Sequence, residues 1–198
     1  MKILAFVDLH GRINELKKLV ARANKDDISI VVNAGDLTIY GDKLNFIANE
    51  LAKTKKLTMM IPYNHETDEQ IFKACQRHPN FVYLQRRWLR KGNYLFMGYG
   101  GGGFSFVDKR FEKIAIRFRK LIKKDDRVIL VSHAPPYGTK ADKIGKEHCG
   151  NKSIRKFIER EKPDLVICGH LHECARKEDR IGKTRIINPG PKGLVIEI

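Results

Sequence analysis

The stretch that decides the fold is "MKILAFVDLHGRINELKKLV", residues 1–20. After Lys2, an unbroken apolar run over residues 3–7 stops at Asp8, and His10 and Gly11 follow at once. Ile13, Leu16, Leu19 and Val20 then recur at helical spacing, with Asn24 placed to end the helix. The stretch predicts a buried strand, a turn carrying an acid and an imidazole, and an amphipathic helix. The unit repeats along the first half. Residues 28–32 and 57–61 read as strands and 45–51 as a helix. Residues 67–77 read as a helix with Thr67 as N-cap and Gln70 as its capping-box partner. Strands alternating with helices predict an α/β layered fold.

Further on, residues 81–84 and 94–97 read as short strands, and "GYGGGG" (98–103) as a flexible loop. Phe111, Ile114, Ala115, Phe118, Leu121 and Ile122 mark an amphipathic helix whose other face is basic. Residues 128–131 form the next strand, Ile154, Phe157 and Ile158 one more helix, and residues 165–168 one more strand. Residues 185–187 and 194–198 read as a pair of closing strands. Two sheets in a sandwich are expected, in one domain over residues 1–198, since neither a repeat nor a linker interrupts the chain.

The bulk numbers bound the function. A chain of 198 residues with 42% hydrophobic content builds a substantial core. No apolar segment approaches the ~20 residues that span a bilayer, and the short run before Asp8 does not suit a signal peptide. A soluble, cytoplasmic protein without membrane partners is expected. Cys75, Cys149, Cys168 and Cys174 form no CxxC pair and read as free thiols. The net charge of +16 attracts phosphates and nucleic acids. A solvated Lys/Arg surface explains it equally well, because the charge is spread along the chain.

In α/β folds reactive residues gather just past the carboxyl ends of strands. Five strand ends here carry Asp, Asn or His: "DLHG" with Asp8 and His10, "NAGD" with Asp36, "YNHE" with Asn64 and His65, "SHAPP" with His133, and "GHLHE" with His170 and His172. Taken singly, each is an ordinary turn residue or cap. Taken together they supply two carboxylates, one amide and five imidazoles without a thiolate. That donor set suits Mn²⁺, Fe, Zn²⁺, Co²⁺ or Ni²⁺, with Mn²⁺ favoured, and not a Cys-rich structural zinc site. Residues i and i+2 of an extended segment point the same way, so Asp8 and His10 can grip one cation. Asp36 is the natural carboxylate to bridge two cations ~3.5–4 Å apart.

The series D-x-H, G-D, N-H-E, H and G-H-x-H, from Asp8 to His172, resembles the calcineurin-like metallophosphoesterase superfamily. "NPGP" (188–191) resembles the turn before that family's last strand. The resemblance implies a four-layer αββα sandwich of two mixed sheets flanked by helices. It implies that Asp8, His10 and His172 bind one metal, that Asn64, His133 and His170 bind a second, and that Asp36 bridges them. His65 would face the scissile phosphate and protonate the leaving oxygen, while a metal-bridging hydroxide attacks in line.

Two departures stand out. Tyr63 occupies the place of the family's usual glycine. After Asp36 the chain reads "GDLTIYG", with Ile39 and Tyr40 where protein phosphatases of this superfamily carry Asp and a phosphate-gripping Arg. The missing Arg argues against a protein phosphatase and favours a diesterase of the smaller bacterial and archaeal kind, acting on small or nucleotide-like diesters. A nuclease or a phosphomonoesterase is the alternative, and a non-catalytic scaffold of the same fold ranks third. Candidate substrate contacts are Tyr63, Gly101 of the Gly-rich loop and His148, with Lys140, in the long loop 132–153. Trp88 among Arg86, Arg87, Arg90 and Lys91 reads as a core or subunit-contact residue in preference to a base-stacking one.

Overall fold

The computed structural model describes residues 1–25, 27–103 and 105–198. In chain order the elements are β1 (Lys2–Phe6), α1 (Ile13–Lys25), β2 (Ile30–Asn33), α2 (Leu44–Ala52), β3 (Leu57–Met60), α3 (Asp68–Gln76), β4 (Phe81–Tyr83), β5 (Trp88–Lys91), β6 (Tyr94–Tyr99), α4 (Lys109–Arg119), β7 (Arg127–Ser132), β8 (Lys143–Ile144), β9 (Glu147–His148), α5 (Lys152–Glu161), β10 (Leu165–Ile167), β11 (Glu178–Ile181), β12 (Thr184–Ile187) and β13 (Leu194–Glu197). Short 3-10 turns stand at Lys140–Asp142 and His172–Cys174.

Two mixed sheets carry the fold. One has the order β13-β1-β2-β3-β4, the other β11-β12-β10-β7-β6-β5, and β8 and β9 form a separate small hairpin. The side-chain period of two explains the layering. Along β1, Leu4 and Phe6 face α1, α2 and α3, meeting Leu16, Leu19, Ile47, Leu51 and Ile71. Ile3, Ala5 and Val7 face the other way and interleave with Phe96, Ile129, Val131 and Ile167 of the second sheet. The far side of that sheet, through Leu95, Met97, Leu130 and Val166, packs on Phe111, Phe118 and Phe157 of α4 and α5. The result is the expected αββα sandwich. Strands buried on both faces must be apolar throughout, which is why β1 reads as a continuous run. Each buried Leu, Ile or Phe contributes roughly 1.5–3 kcal/mol.

Local signals hold where expected. Thr67 Oγ1 accepts from the Gln70 N–H at 3.1 Å, and the Thr67 N–H donates to Gln70 Oε1 at 2.8 Å, so α3 starts on a complete capping box. Four expectations are corrected. The tail strands do not pair with each other: β12 adds to β10 in one sheet and β13 to β1 in the other. Gly98 and Tyr99 belong to β6, so the Gly-rich loop begins only at Gly100. For Trp88, expected in the core or at a subunit contact, only the core half is corrected. Trp88 is 49% exposed on β5, an edge strand that hairpins with β6. The long loop is not structureless, because it holds a 3-10 turn and the β8–β9 hairpin.

Strands β1, β2 and β3 run parallel, as do β6, β7, β10 and β12. Their carboxyl ends therefore lie along one rim in each sheet. No helix among the described residues is long and apolar enough to cross a membrane.

Candidate metal centre

The two rims meet. Asp8 and Asp36 leave the ends of β1 and β2, while His133 leaves the end of β7, and His133 Nε2 lies 3.8 Å from Asp8 Oδ1 and 3.6 Å from Asp36 Oδ2. The His170 main-chain N–H donates to Asp8 Oδ2 at 3.1 Å, and the His65 N–H donates to Asp36 Oδ1 at 3.3 Å. His10 Nε2 and His172 Nε2 stand 3.0 Å apart. Contact between the two rims demands Gly169. A Cβ there would lie 2.1 Å from Val7 Cγ2, so any other residue would force the end of β10 away from the end of β1.

The backbone is strained where the side chains converge. Asp8, His10, Asp36 and His170 all take positive φ, at 54°, 46°, 51° and 73°. Such conformations cost on the order of 1 kcal/mol or more and cluster at functional sites. Here they turn four donors inward from strand ends that would otherwise continue straight.

Three groups of side chains offer ligand atoms within 4.8 Å of one another: Asp8, His10 and His172; His10, Asp36 and His65; and Asp8, Asp36 and His133. The chemistry of this donor set fits divalent cations. Asp8, Asp36 and His133 are buried. Asp8 Oδ1 and His133 Nε2 have no hydrogen-bond partner among the described residues, a costly state for buried polar atoms. His133 Nδ1 pairs with the Ala34 carbonyl at 2.9 Å, which fixes the proton on Nδ1 and aims the Nε2 lone pair into the cluster.

The electrostatics agree. Burial pushes the Asp8 carboxyl up to about 7, opposed by the His170 N–H and Arg12. Burial, then Glu66 and Asp8, push Asp36 up to about 8. Burial lowers His10 to about 4, helped by His172 and His65, and lowers His170 to about 4, helped by His172. His133 is driven well down by burial and His170. The cluster thus gathers acids that hold protons and imidazoles that refuse them, as expected where the compensating positive charge is a metal.

Of the residues named from sequence, Asp8, His10, Asp36, His65, His133, His170 and His172 come together. Asn64 follows β3 on the same turn as His65, but it is exposed. Tyr63 stacks on His133, with ring centroids 3.8 Å apart and planes 18° apart, and meets His170 edge-on at 5.2 Å. Tyr63 is not among the residues at positive φ, so its position does not need a glycine's freedom. Its hydroxyl instead fits beside Gly103, where a Cβ would come within 2.2 Å of it. Tyr63 and Gly101 line one cavity of about 680 Å³ with Arg86, Lys109 and Arg110. His148 joins none of these groups. Its Nδ1 pairs with buried Asp142 at 2.8 Å.

Two residues of this region escaped the sequence. Glu66 is buried and accepts from both the N–H and the Oγ1 of Thr38 at 2.6 Å, tying the loop after β2 to the turn after β3. It lies inside "YNHE", but nothing in the sequence gives its direction. Asp142 organises the long loop, and the Thr139-x-x-Asp142 spacing was its available signal.

Acids and imidazoles at the converging carboxyl ends of a double sheet form a donor set of the kind that metal-dependent hydrolases use. The chain belongs to the calcineurin-like phosphoesterases, whose family model matches residues 1–174. It is 33% identical over 207 residues to the uncharacterized protein MJ1162 of Methanocaldococcus jannaschii, covering 99% of this chain and 91% of that one. Among solved structures it resembles TT1561 of Thermus thermophilus, with a TM-score of 0.79, 18% identity and coverage of 96% and 88%. It also resembles a dimetal phosphatase from Danio rerio, with a TM-score of 0.72, 12% identity and coverage of 94% and 86%. The family implies a site for two divalent metals and a metal-dependent phosphoester hydrolase.

Proposed function

We propose that the chain is a phosphodiesterase acting on small or nucleotide-like diesters, with Mn²⁺ as the favoured metal. The observation that carries the reading is the convergence of strand ends from both sheets on Asp8, His10, Asp36, His133 and His172. In this reading Asp8, His10 and His172 hold one cation and Asn64, His133 and His170 the other. Asp36 would serve both cations, since it groups with His10 on one side and with His133 on the other; Asp8 reaches both sides as well. Cations bound there would neutralise the phosphate and acidify the attacking water.

The chain's own residues do the rest. The Ala34 carbonyl and the His170 N–H orient His133 and Asp8. Glu66, through Thr38, sets the two turns that carry Asp36 and His65. His65 sits beside His10, ring centroids 4.6 Å apart, and presents a ring N–H to the leaving oxygen. A diester carries a second substituent, and the cavity beyond Tyr63, lined by Lys109 and Arg110, by Asp108 and by the Arg86–Asp68 ion pair, gives that arm room and polar partners.

The test is a Mn²⁺-supplied substrate panel of bis(p-nitrophenyl) phosphate, its monoester, cyclic nucleotides and single-stranded nucleic acid. A diester is expected to be the best substrate. Cleavage of the monoester far faster than every diester would replace this reading with a phosphomonoesterase, and preference for the polymer would replace it with a nuclease.

A further inference from the structure

The turn beyond Asp36 is built against its own sequence. The Asp42 N–H donates to the Ile39 carbonyl at 2.9 Å, closing a four-residue turn. Its two central residues, Tyr40 and Gly41, have φ of 49° and 81°. Turns with both central residues at positive φ select Asn, Asp or Gly at the first of them. A bulky aromatic there is an outlier that costs on the order of 1 kcal/mol or more.

The cost is not repaid by burial, because Tyr40 is 76% exposed. The surroundings nevertheless hold the turn in place, and the ring lies against His65. Thr38 Oγ1 accepts from the Gly41 N–H at 2.9 Å while donating to Glu66 Oε1 at 2.6 Å. The residue next to Glu66 is His65, and the Tyr40 ring stands 4.6 Å from the His65 ring at a tilt of 34°. One buried carboxylate therefore ties together the two turns that carry Tyr40 and His65. Exposed Ile39 and Phe46, at 51% and 46%, belong to the same segment. The chain thus spends strain to hold an open aromatic face beside the residue assigned to the leaving oxygen.

We propose that Tyr40 is a specificity-determining residue. Its ring is the stacking face for a planar aromatic group, a nucleobase or an aryl ring, on the leaving side of the phosphoester. The phosphodiesterase reading enters only in placing the leaving group beside His65. Stacking of a base on an aromatic side chain is sequence-tolerant and large enough to change affinity by about tenfold or more. Tyr40 thereby selects esters that carry a flat ring over those that carry an alkyl chain or a bare sugar.

The test uses two probes that differ by the base alone, adenosine 5′-monophosphate and ribose 5-phosphate. Their binding to the Mn²⁺-supplied protein is measured by calorimetry. The wild type is expected to bind the nucleotide about tenfold tighter. Tyr40→Phe keeps that ratio. Tyr40→Asn removes the ring and suits the turn, so it brings the ratio near one and melts at or above the wild-type temperature. Tyr40→Gly repeats the measurement without any backbone strain. A wild-type ratio near one, no nucleotide binding, or an undiminished ratio in both the Asn and Gly variants overturns the proposal. An equal loss of affinity for both probes in these variants also overturns it, because it would make Tyr40 a mere support for His65. Neither probe has to be hydrolysed, so this ratio is read separately from the outcome of the substrate panel.

Discussion

Two loops at the same rim of the sandwich are built on opposite plans. Residues 36–43, after β2, are few, strained and turned outward. Asp36, Tyr40 and Lys43 take positive φ without being glycine, and Ile39 and Tyr40 lie open to solvent. Residues 133–151, after β7, are many, but they spend their polar groups on themselves. The fully buried Asp142 carboxylate accepts from the N–H groups of Gly138 at 2.9 Å, Thr139 at 2.7 Å and Gly150 at 3.0 Å, and pairs with His148. Pro135 accepts from Asn151 at 2.8 Å and closes the loop on itself. Length made the second loop the functional candidate. Beyond His133, which joins the cluster at its first residue, the polar groups of the long loop are spent mainly on holding its own shape, whereas the short loop leaves side chains open beside the centre.

Substitutions can break this contrast. The largest effect is expected at His65, which the short loop supports. His65→Ala should lower turnover by roughly 10²–10⁴ and leave both cations bound, as elemental analysis of the purified protein would show. Metal lost together with turnover would place His65 among the ligands. Next comes Asp142→Ala, which strands three N–H donors and should cost roughly 3 kcal/mol of stability in chemical denaturation. The folded fraction should turn over within twofold of wild type. A fall in turnover at unchanged stability would mean that the long loop serves catalysis after all. The smallest effect is expected for His148→Gln, with kcat/KM within twofold. A tenfold loss there, with the melting temperature unchanged, would return His148 to the substrate.

Much of the centre was legible because a strand buried on both faces is an unbroken apolar run, and Asp8, Asp36, His133 and His170 are where such runs stop. The layering followed from the same runs. Edge strands were harder to read. "WLRK" of β5 and "EDRI" of β11 border solvent, so charged residues replace the alternation that marks a half-buried strand. The partners of β12 and β13 were not legible either, since alternation gives the face of a strand and not its neighbour. Tyr40 was visible only as a departure from another branch's Arg. Its importance lies in a φ angle and an exposure, neither of which a residue's identity reveals. Asn64 remains named by its motif, while its side chain is exposed on the turn.

The His170 N–H reaches back 162 residues to Asp8, and His10 faces His172 across the same separation. These contacts cross from one sheet to the other, so the centre is also a clasp. Whatever ties Asp8 and His10 to His172 closes a ring containing most of the chain, and constraints on long rings remove the most freedom from the unfolded state. No contiguous fragment shorter than residues 8–172 carries the whole centre, and neither half of the sandwich holds it alone. The strand ends that gather these acids and imidazoles are at the same time the stitches that hold the two sheets as one object.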